Sequence, residues 1–246
     1  MPFGAQRGVR APGHSKSNSF LAALRPEDLS LLTPHLRSVS LERGVILQEA
    51  GDEIEHVYFP HSGMVSLVAV MQSGATVETV TVGRCGVVGA AAGLGSRHSF
   101  GRAVVQLPGA AARIPVAQFR AATRESDAIH DLVVRCNDLL VSQIQQSVAC
   151  NALHGLEARL CRWLLQTHDC VDGDSIPLTQ EFLAQMLGVR RTTVTIAARL
   201  LQSTGLIRYR RGLIQVVNRA ALEKAACECH ATVQQNIEKT FRAVLP

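Results

Sequence analysis

Between Leu178 and Arg219 the chain concentrates one kind of chemistry. Seven arginines (Arg190, Arg191, Arg199, Arg208, Arg210, Arg211 and Arg219) face a single acidic residue, Glu181, within that stretch. A guanidinium is planar and permanently charged, and it presents a fork of donors that matches a phosphate or the O6/N7 edge of guanine. Thr192, Thr193 and Thr195 are interleaved with these arginines and can donate to or accept from either kind of partner. Such a one-signed footprint is what neutralisation of a phosphate backbone requires. A solvated basic face that does no more than keep the chain soluble is the competing reading.

Other residues capable of chemistry are more scattered. Cys227-Glu228-Cys229-His230 invites a metal reading, but structural zinc needs a second ligand pair, and no such pair is evident in the sequence. Ordinary thiols packed on a helix are therefore expected, and no metal ligand or cofactor is assigned. Cys85 and Cys136 stand beside Arg84 and Arg135, which leaves a redox role open for them. His56 and His61 could ligate a haem, although scattered surface histidines are commoner. No nucleotide-hydrolysing loop, paired catalytic carboxylates or nucleophile elbow occurs, so the chain reads as a binding protein and not an enzyme.

The elements that must position the arginines can be read from periodicity. Phe182, Leu183, Met186 and Leu187 recur at helical spacing, with Thr179 placed to cap the helix start and Gly188 to turn the chain sharply after it. Val194, Ala198 and Leu201 then form the apolar face of a second helix, leaving Arg190, Arg191, Thr192, Thr195 and Arg199 largely on its other sides. Two short β-rich runs follow, Leu206-Ile207 and Leu213 to Val217, around the basic turn Arg208-Tyr209-Arg210-Arg211-Gly212. Helix, glycine turn, helix and hairpin make a winged helix-turn-helix, whose second helix can enter a major groove.

Here the sequence resembles the Crp/Fnr family of bacterial transcription regulators. LTQEFLAQMLGVRRTTV and GLIRYRRGLIQV carry the match, and GDEIEHVYFPHSGMVSL with GRCGVVGAAAGLG carries a weaker one. The resemblance covers nearly the whole chain from Ser17 onward. It implies an N-terminal cyclic-nucleotide-binding-like β-roll, a long dimerisation helix and a C-terminal winged helix. It also implies double-stranded DNA, a second copy of the chain and RNA polymerase as partners. By that resemblance Arg191 matches a guanine-contacting position, while Arg190, Thr193 and Arg199 touch phosphates or flank the bases. Arg210 and Arg211 in the wing are expected on phosphates. The whole expected contact set is Thr179, Gln180, Arg190, Arg191, Thr192, Thr193, Thr195, Arg199, Arg210 and Arg211. Two departures bear on operator choice: Thr192 stands where the family usually has glutamate, and Ile196 where another arginine is common.

In the family's nucleotide-binding members a glycine is followed by a ribose-binding glutamate and later by a phosphate-binding arginine. The corresponding residues here are Gly89, Ala90 and Arg102. Ala90 offers nothing to a ribose hydroxyl, and the loop ahead of Arg102 differs in length by about two residues. Cyclic AMP is therefore not expected; an unidentified ligand or a vestigial pocket both remain open.

The fold class expected is α+β: an antiparallel, jelly-roll-like β-roll, a long helix and a winged helix-turn-helix. Short strands with glycine-bearing turns run from Val39 to Pro115. Ala117 to roughly Cys150 reads as one helical segment with a seam of Ile129, Leu132, Cys136, Leu140 and Ile144. That seam either packs on the roll or forms a parallel dimer interface, which the resemblance favours. A hinge is expected at Asn151-Ala152, a polar connector over His168 to Pro177, and a C-terminal helix from Arg219 to Phe241. The domain division is 1–17 lead-in, 18–125 sensor, 126–151 dimerisation helix, 152–220 winged helix and 221–246 C-terminal helix.

Composition sets the outer bounds. The chain has 246 residues, 47% of them apolar, and a formal charge of +5; 22 of its 25 basic residues are arginine. No apolar run is long enough for a membrane span. The basic, acid-free N-terminus lacks the apolar core of a secretory signal and reads as a disordered lead-in, with a mitochondrial address as the alternative. Seven cysteines, an odd number, suit a reducing cytoplasm. The alternative to a DNA-binding regulator is a ligand- or protein-binding module whose basic helices dock an acidic protein.

Overall fold

The computed structural model describes residues 17–171 and 173–242. All of the expected N-terminal lead-in except Ser17 lies outside them. Helices α1 (Ser19–Ala23) and α2 (Pro26–Ser30) precede seven strands: β1 (Arg37–Leu41), β2 (Ile46–Gln48), β3 (His56–Pro60), β4 (Met64–Val70), β5 (Thr76–Val82), β6 (Arg102–Leu107) and β7 (Gly109–Pro115). They form two antiparallel sheets, ordered β1-β7-β3 and β2-β6-β4-β5.

Strand alternation explains how these sheets are covered. Side chains of a strand point alternately to opposite faces. In β3, Tyr58 joins Leu41, Val65, Val82, Val105 and Ala111 in a core between the two sheets. Its neighbours Val57 and Phe59 point the other way, with Ile114, onto Phe20, Phe119, Ile129 and Leu132 of the flanking helices. In the second sheet Val65 and Val105 face inward, whereas Met64, Val68 and Leu107 face out and are buried against the C-terminal half of the chain. Both faces of the roll are apolar because both are covered.

The expected single helix from Ala117 is two helices, α3 (Val116–Glu125) and α4 (Asp127–Leu153). Ser126 separates them in an extended conformation, φ −122° and ψ 117°, and its hydroxyl accepts the Ile129 N–H. That hydroxyl also donates to Asp28 at 2.6 Å, which anchors the break to α2. Helix α4 runs past the expected hinge to Leu153; the chain leaves helical geometry at His154 and re-enters it in α5 (Leu156–His168) after Gly155. The seam residues Ile129, Leu132 and Cys136 are packed inside this chain against the roll and α3, so they are not available to a partner. Leu140 also lies against the inter-sheet core. Only Ile144 stays near the outer face of α4, where Val141 is 44% and Val148 66% exposed.

The C-terminal half adds β8 (Ser175–Pro177), α6 (Gln180–Leu187), α7 (Arg191–Ser203), β9 (Ile207–Arg210), β10 (Leu213–Val216), α8 (Arg219–Ala225) and α9 (Cys229–Arg242). The polar connector thus ends in a strand, and β8-β10-β9 form a third antiparallel sheet. The single C-terminal helix expected from Arg219 is broken at Ala226, whose ψ of 156° no helix accepts. Helix α8 packs on α5, and α9 returns to α4.

Candidate nucleic-acid interface

The helix-turn-helix is built by the caps read from the sequence. The Thr179 hydroxyl accepts the Phe182 N–H at 3.2 Å and opens α6. Gly188 closes it in the left-handed region, φ 65°, and the Val189 N–H reaches back to the Ala184 carbonyl at 3.0 Å. A residue with a side chain would be strained at that φ, which is why glycine stands there. Helix α7 buries Val194, Ala197, Ala198 and Leu201 against α6 and α5. With that face inward, Arg190, Arg191, Thr192, Thr193 and Arg199 are exposed.

Arg190 is the N-cap residue of α7 and makes no side-chain cap, so its side chain leaves the first backbone N–H groups of the helix uncapped beside two guanidiniums. A groove of about 560 Å³ lies along this face, lined by Gln180, Arg191, Thr192, Thr195, Arg199 and Tyr209. Arg191 meets Glu181 at 3.9 Å, but both are mostly exposed, and such a pair holds an arginine only weakly. Three expected contacts, Thr179, Gln180 and Thr195, have structural duties. Thr195, half-buried, donates its hydroxyl proton between Gln180 Oε1 at 2.7 Å and the Arg191 carbonyl at 3.0 Å. It ties α7 to α6 and positions the arginines beside it. Thr179 is similarly engaged as the cap of α6.

The wing is held to α7 by the Gln202 side chain, which accepts the Tyr209 N–H at 2.7 Å. Its two-residue turn places Arg211 at φ 49° and Gly212 at φ 78°. Both central residues of this hairpin turn need positive φ, which matches the right-handed twist of the strands. Arg211 is the one non-glycine residue with positive φ among the described residues, and it projects the turn's charge into solvent.

The sensor residues do not converge as expected. Gly89 is left-handed at φ 83°, and the space before its Cα is filled by the Gln48 side chain, which donates to the His56 carbonyl at 3.1 Å. Ala90 is buried and faces a small cavity of about 90 Å³ between the roll, α4, α5 and α9; neither Gly89 nor Arg102 lines it. Arg102 already donates to both oxygens of Glu49, at 2.9 and 3.0 Å. That hydrogen bond holds the Glu49 carboxyl below its ordinary value. A phosphate would have to displace a resident carboxylate.

The thiol candidates change places. Burial pushes Cys85 up, and Arg84 only partly offsets it; burial pushes Cys136 up to about 12. Neither is an activated thiol. His61 accepts the Asn18 N–H through Nδ1 at 3.1 Å, and burial lowers its pKa. His56 sits at the other end of β3, so the two do not make one site. The ligand pair that Cys227-Glu228-Cys229 lacks in the sequence is supplied by Cys150 and His154. His230 turns away and meets Asp169 at 3.0 Å.

A β-roll leading through a long helix into a winged helix with an exposed basic recognition face defines a one-chain sensor and DNA-binding regulator. Comparison with known proteins agrees. Residues 38–126 match the cyclic nucleotide-binding domain model, and residues 158–225 match the Crp-like helix-turn-helix domain model. The chain belongs to the Crp/Fnr family of transcription regulators. Among solved structures it is similar to a Crp/Fnr-family regulator from Eubacterium rectale (15% identity, TM-score 0.62, covering 83% of this chain and 95% of that one). It is similar too to FixK2 from Bradyrhizobium japonicum (13% identity, TM-score 0.67, 78% and 98% covered). A third is a CRP-family transcriptional regulator from Thermus thermophilus (21% identity, TM-score 0.61, 76% and 96% covered). No curated protein sequence gives a significant match. No helix among the described residues is long and apolar enough to cross a membrane.

Proposed function

We propose that the protein acts in the cytoplasm as a homodimer that reads a pseudo-palindromic operator with two α7 helices. It regulates by binding and not by catalysis, and as a family member it meets RNA polymerase on the DNA. The observation that carries this reading is the exposed edge of α7, where Arg191, Thr192 and Arg199 border the groove, with Arg190 exposed just ahead of them, while the opposite face is buried. Arg191 reads a base edge, and Arg210 and Arg211 hold phosphates without reading sequence. Ile196, 67% exposed, stands among them and suits a thymine methyl better than a guanine edge. The operator therefore differs from those read by relatives with arginine there.

Dimerisation uses a stripe of α4 rotated from the one the sequence suggests. Val134, Val141 and Val148 recur every seven residues, with Ile144 beside them, on the side opposite the roll. Two copies joined there would present their α7 helices to half-sites one helical turn apart. The sensor acts on something other than cyclic AMP, since Ala90 lacks an acceptor and Arg102 is engaged by Glu49.

The test is a salt titration of binding to an operator selected from random duplexes, with a scrambled duplex as reference. The logarithm of affinity is expected to fall linearly and steeply with the logarithm of salt, with the selected site retained above the scrambled one. A monomer that binds both duplexes and heparin alike would overturn the reading in favour of docking to an acidic protein.

A further inference from the structure

The last turn of α4 and the link between α8 and α9 bring together four metal-ligating side chains that the DNA-binding reading does not use. Cys150 and His154 lie one helical turn apart, and Cys227 and Cys229 flank Glu228. Their ligand atoms all lie within 4.8 Å of one another. Cys150 Sγ is 3.5 Å from Cys227 Sγ, and Cys229 Sγ is 3.5 Å from His154 Nδ1. Around a tetrahedral ion with bonds of about 2.3 Å to sulfur and 2.0 Å to nitrogen, adjacent ligands sit about 3.5–3.8 Å apart. The cluster is therefore already close to the size of one coordination sphere. A four-iron cube would hold its cysteines further apart.

The surroundings are those of a closed site. Cys150 and Cys229 are fully buried and Cys227 is nearly so. His154 turns Nδ1 to the cluster while Nε2 lies 3.3 Å from the Glu228 carboxylate, an arrangement that fixes the ring and leaves Nδ1 as the ligand atom. Gln146 donates to Cys229 Sγ at 3.0 Å. The Arg159 and Arg162 guanidiniums act on Cys150 electrostatically, and the buried Nε of each has no hydrogen-bond partner among the described residues. Three thiolates around a divalent ion carry one net negative charge, which these guanidiniums offset.

We propose that Cys150, His154, Cys227 and Cys229 bind one structural zinc ion, which ties the end of α4 to the start of α9. The site straddles His154-Gly155, where α4 gives way to α5 and so to the winged helix. Zinc there fixes the angle at which the DNA-binding half leaves the dimerisation helix.

The full chain, expressed with zinc and purified under reducing conditions without chelator, should contain about one zinc per chain by elemental analysis. Cobalt in its place should give the thiolate charge-transfer and intense visible bands of a tetrahedral sulfur-rich site. Cys229→Ser and His154→Ala should lower zinc retention at least about tenfold, whereas Cys161→Ser, a buried thiol of α5 outside the cluster, should retain it. If Cys229→Ser does not fold, zinc content and the cobalt spectrum of the wild-type chain decide alone. Metal-free wild-type protein, a Cys150–Cys227 disulfide recovered by peptide mapping in place of metal, or full zinc in both ligand variants would each overturn the proposal. None of these readouts depends on DNA.

Discussion

Arg191 and Arg211 carry the same charge but stand in different surroundings. Arg191 opens the helix that lines the groove, whereas Arg211 sits at the tip of the wing with φ 49°. A bidentate contact to a base edge discriminates between sequences, and a phosphate contact does not. Arg191→Ala should therefore lower affinity for the selected operator by about 1–3 kcal/mol and narrow its advantage over scrambled DNA. Arg211→Ala should weaken both duplexes alike and reduce the salt slope by about one. Gel-shift titrations on the two duplexes check this, and equal losses for Arg191→Ala would remove it from the base-reading role. Thr195, whose hydroxyl is held between α6 and α7, should affect binding through the placement of Arg191.

Helix α4 serves two sides at once. Its inner face, with Ile129, Leu132 and Cys136, belongs to the core of the sensor, while its outer face shows Val141 and Val148 to solvent. Val148 is 66% exposed, so an aspartate there loses little packing within the chain but would be buried unpaired in a dimer. Val148→Asp should raise the dimer dissociation constant roughly 100-fold, about 3 kcal/mol, with helix content unchanged. Sedimentation velocity with circular dichroism checks both, and an unshifted dimer would move the interface elsewhere. The sequence makes α6, the Gly188 turn, α7 and the wing legible because their caps, period and turn chemistry are all local. It shows the roll as strands through alternation, and it conceals the breaks at Ser126 and Ala226, since no proline or glycine marks either one. The seam misleads for a related reason. A stripe on a helix says which residues are apolar, not which of two available partners covers them. Strand β8, three residues long, exists only through its pairing with β10. Cys150 and Cys227 stand 77 positions apart, so no spacing rule could join them.

At the scale of the molecule the two halves share one core. Met64, Val68 and Leu107 of the roll are buried together with Trp163, Met186 and Leu187 of the C-terminal half. The polar contacts across this junction centre on Glu78, which accepts the Trp163 indole N–H at 2.7 Å and, within the roll, the Ser66 hydroxyl. Gln185 donates to Thr76 at 2.5 Å, and Arg43 lies 5.7 Å from the centre of the Phe182 ring. A sensor that shifts the winged helix must act on this junction, because a ligand moves an equilibrium only by binding its two states differently. Burial pushes the Glu78 pKa up, against the hydrogen bonds of Ser66 and Trp163 and the charge of Arg162. The folded state therefore holds the Glu78 proton more tightly than the unfolded chain does. The resulting stabilisation is fully present below the ordinary carboxylate value of 4.5 and is lost as pH rises through the folded value. Glu78→Gln keeps a carbonyl to accept the indole N–H and removes the ionisation. Its urea midpoint, followed by Trp163 fluorescence, should lose the part of the wild-type decline above pH 4.5 that Glu78 contributes. At neutral pH the variant should hold the halves together more firmly than the wild type and bind operator differently. An identical pH slope in both proteins would show that the junction does not depend on this carboxyl.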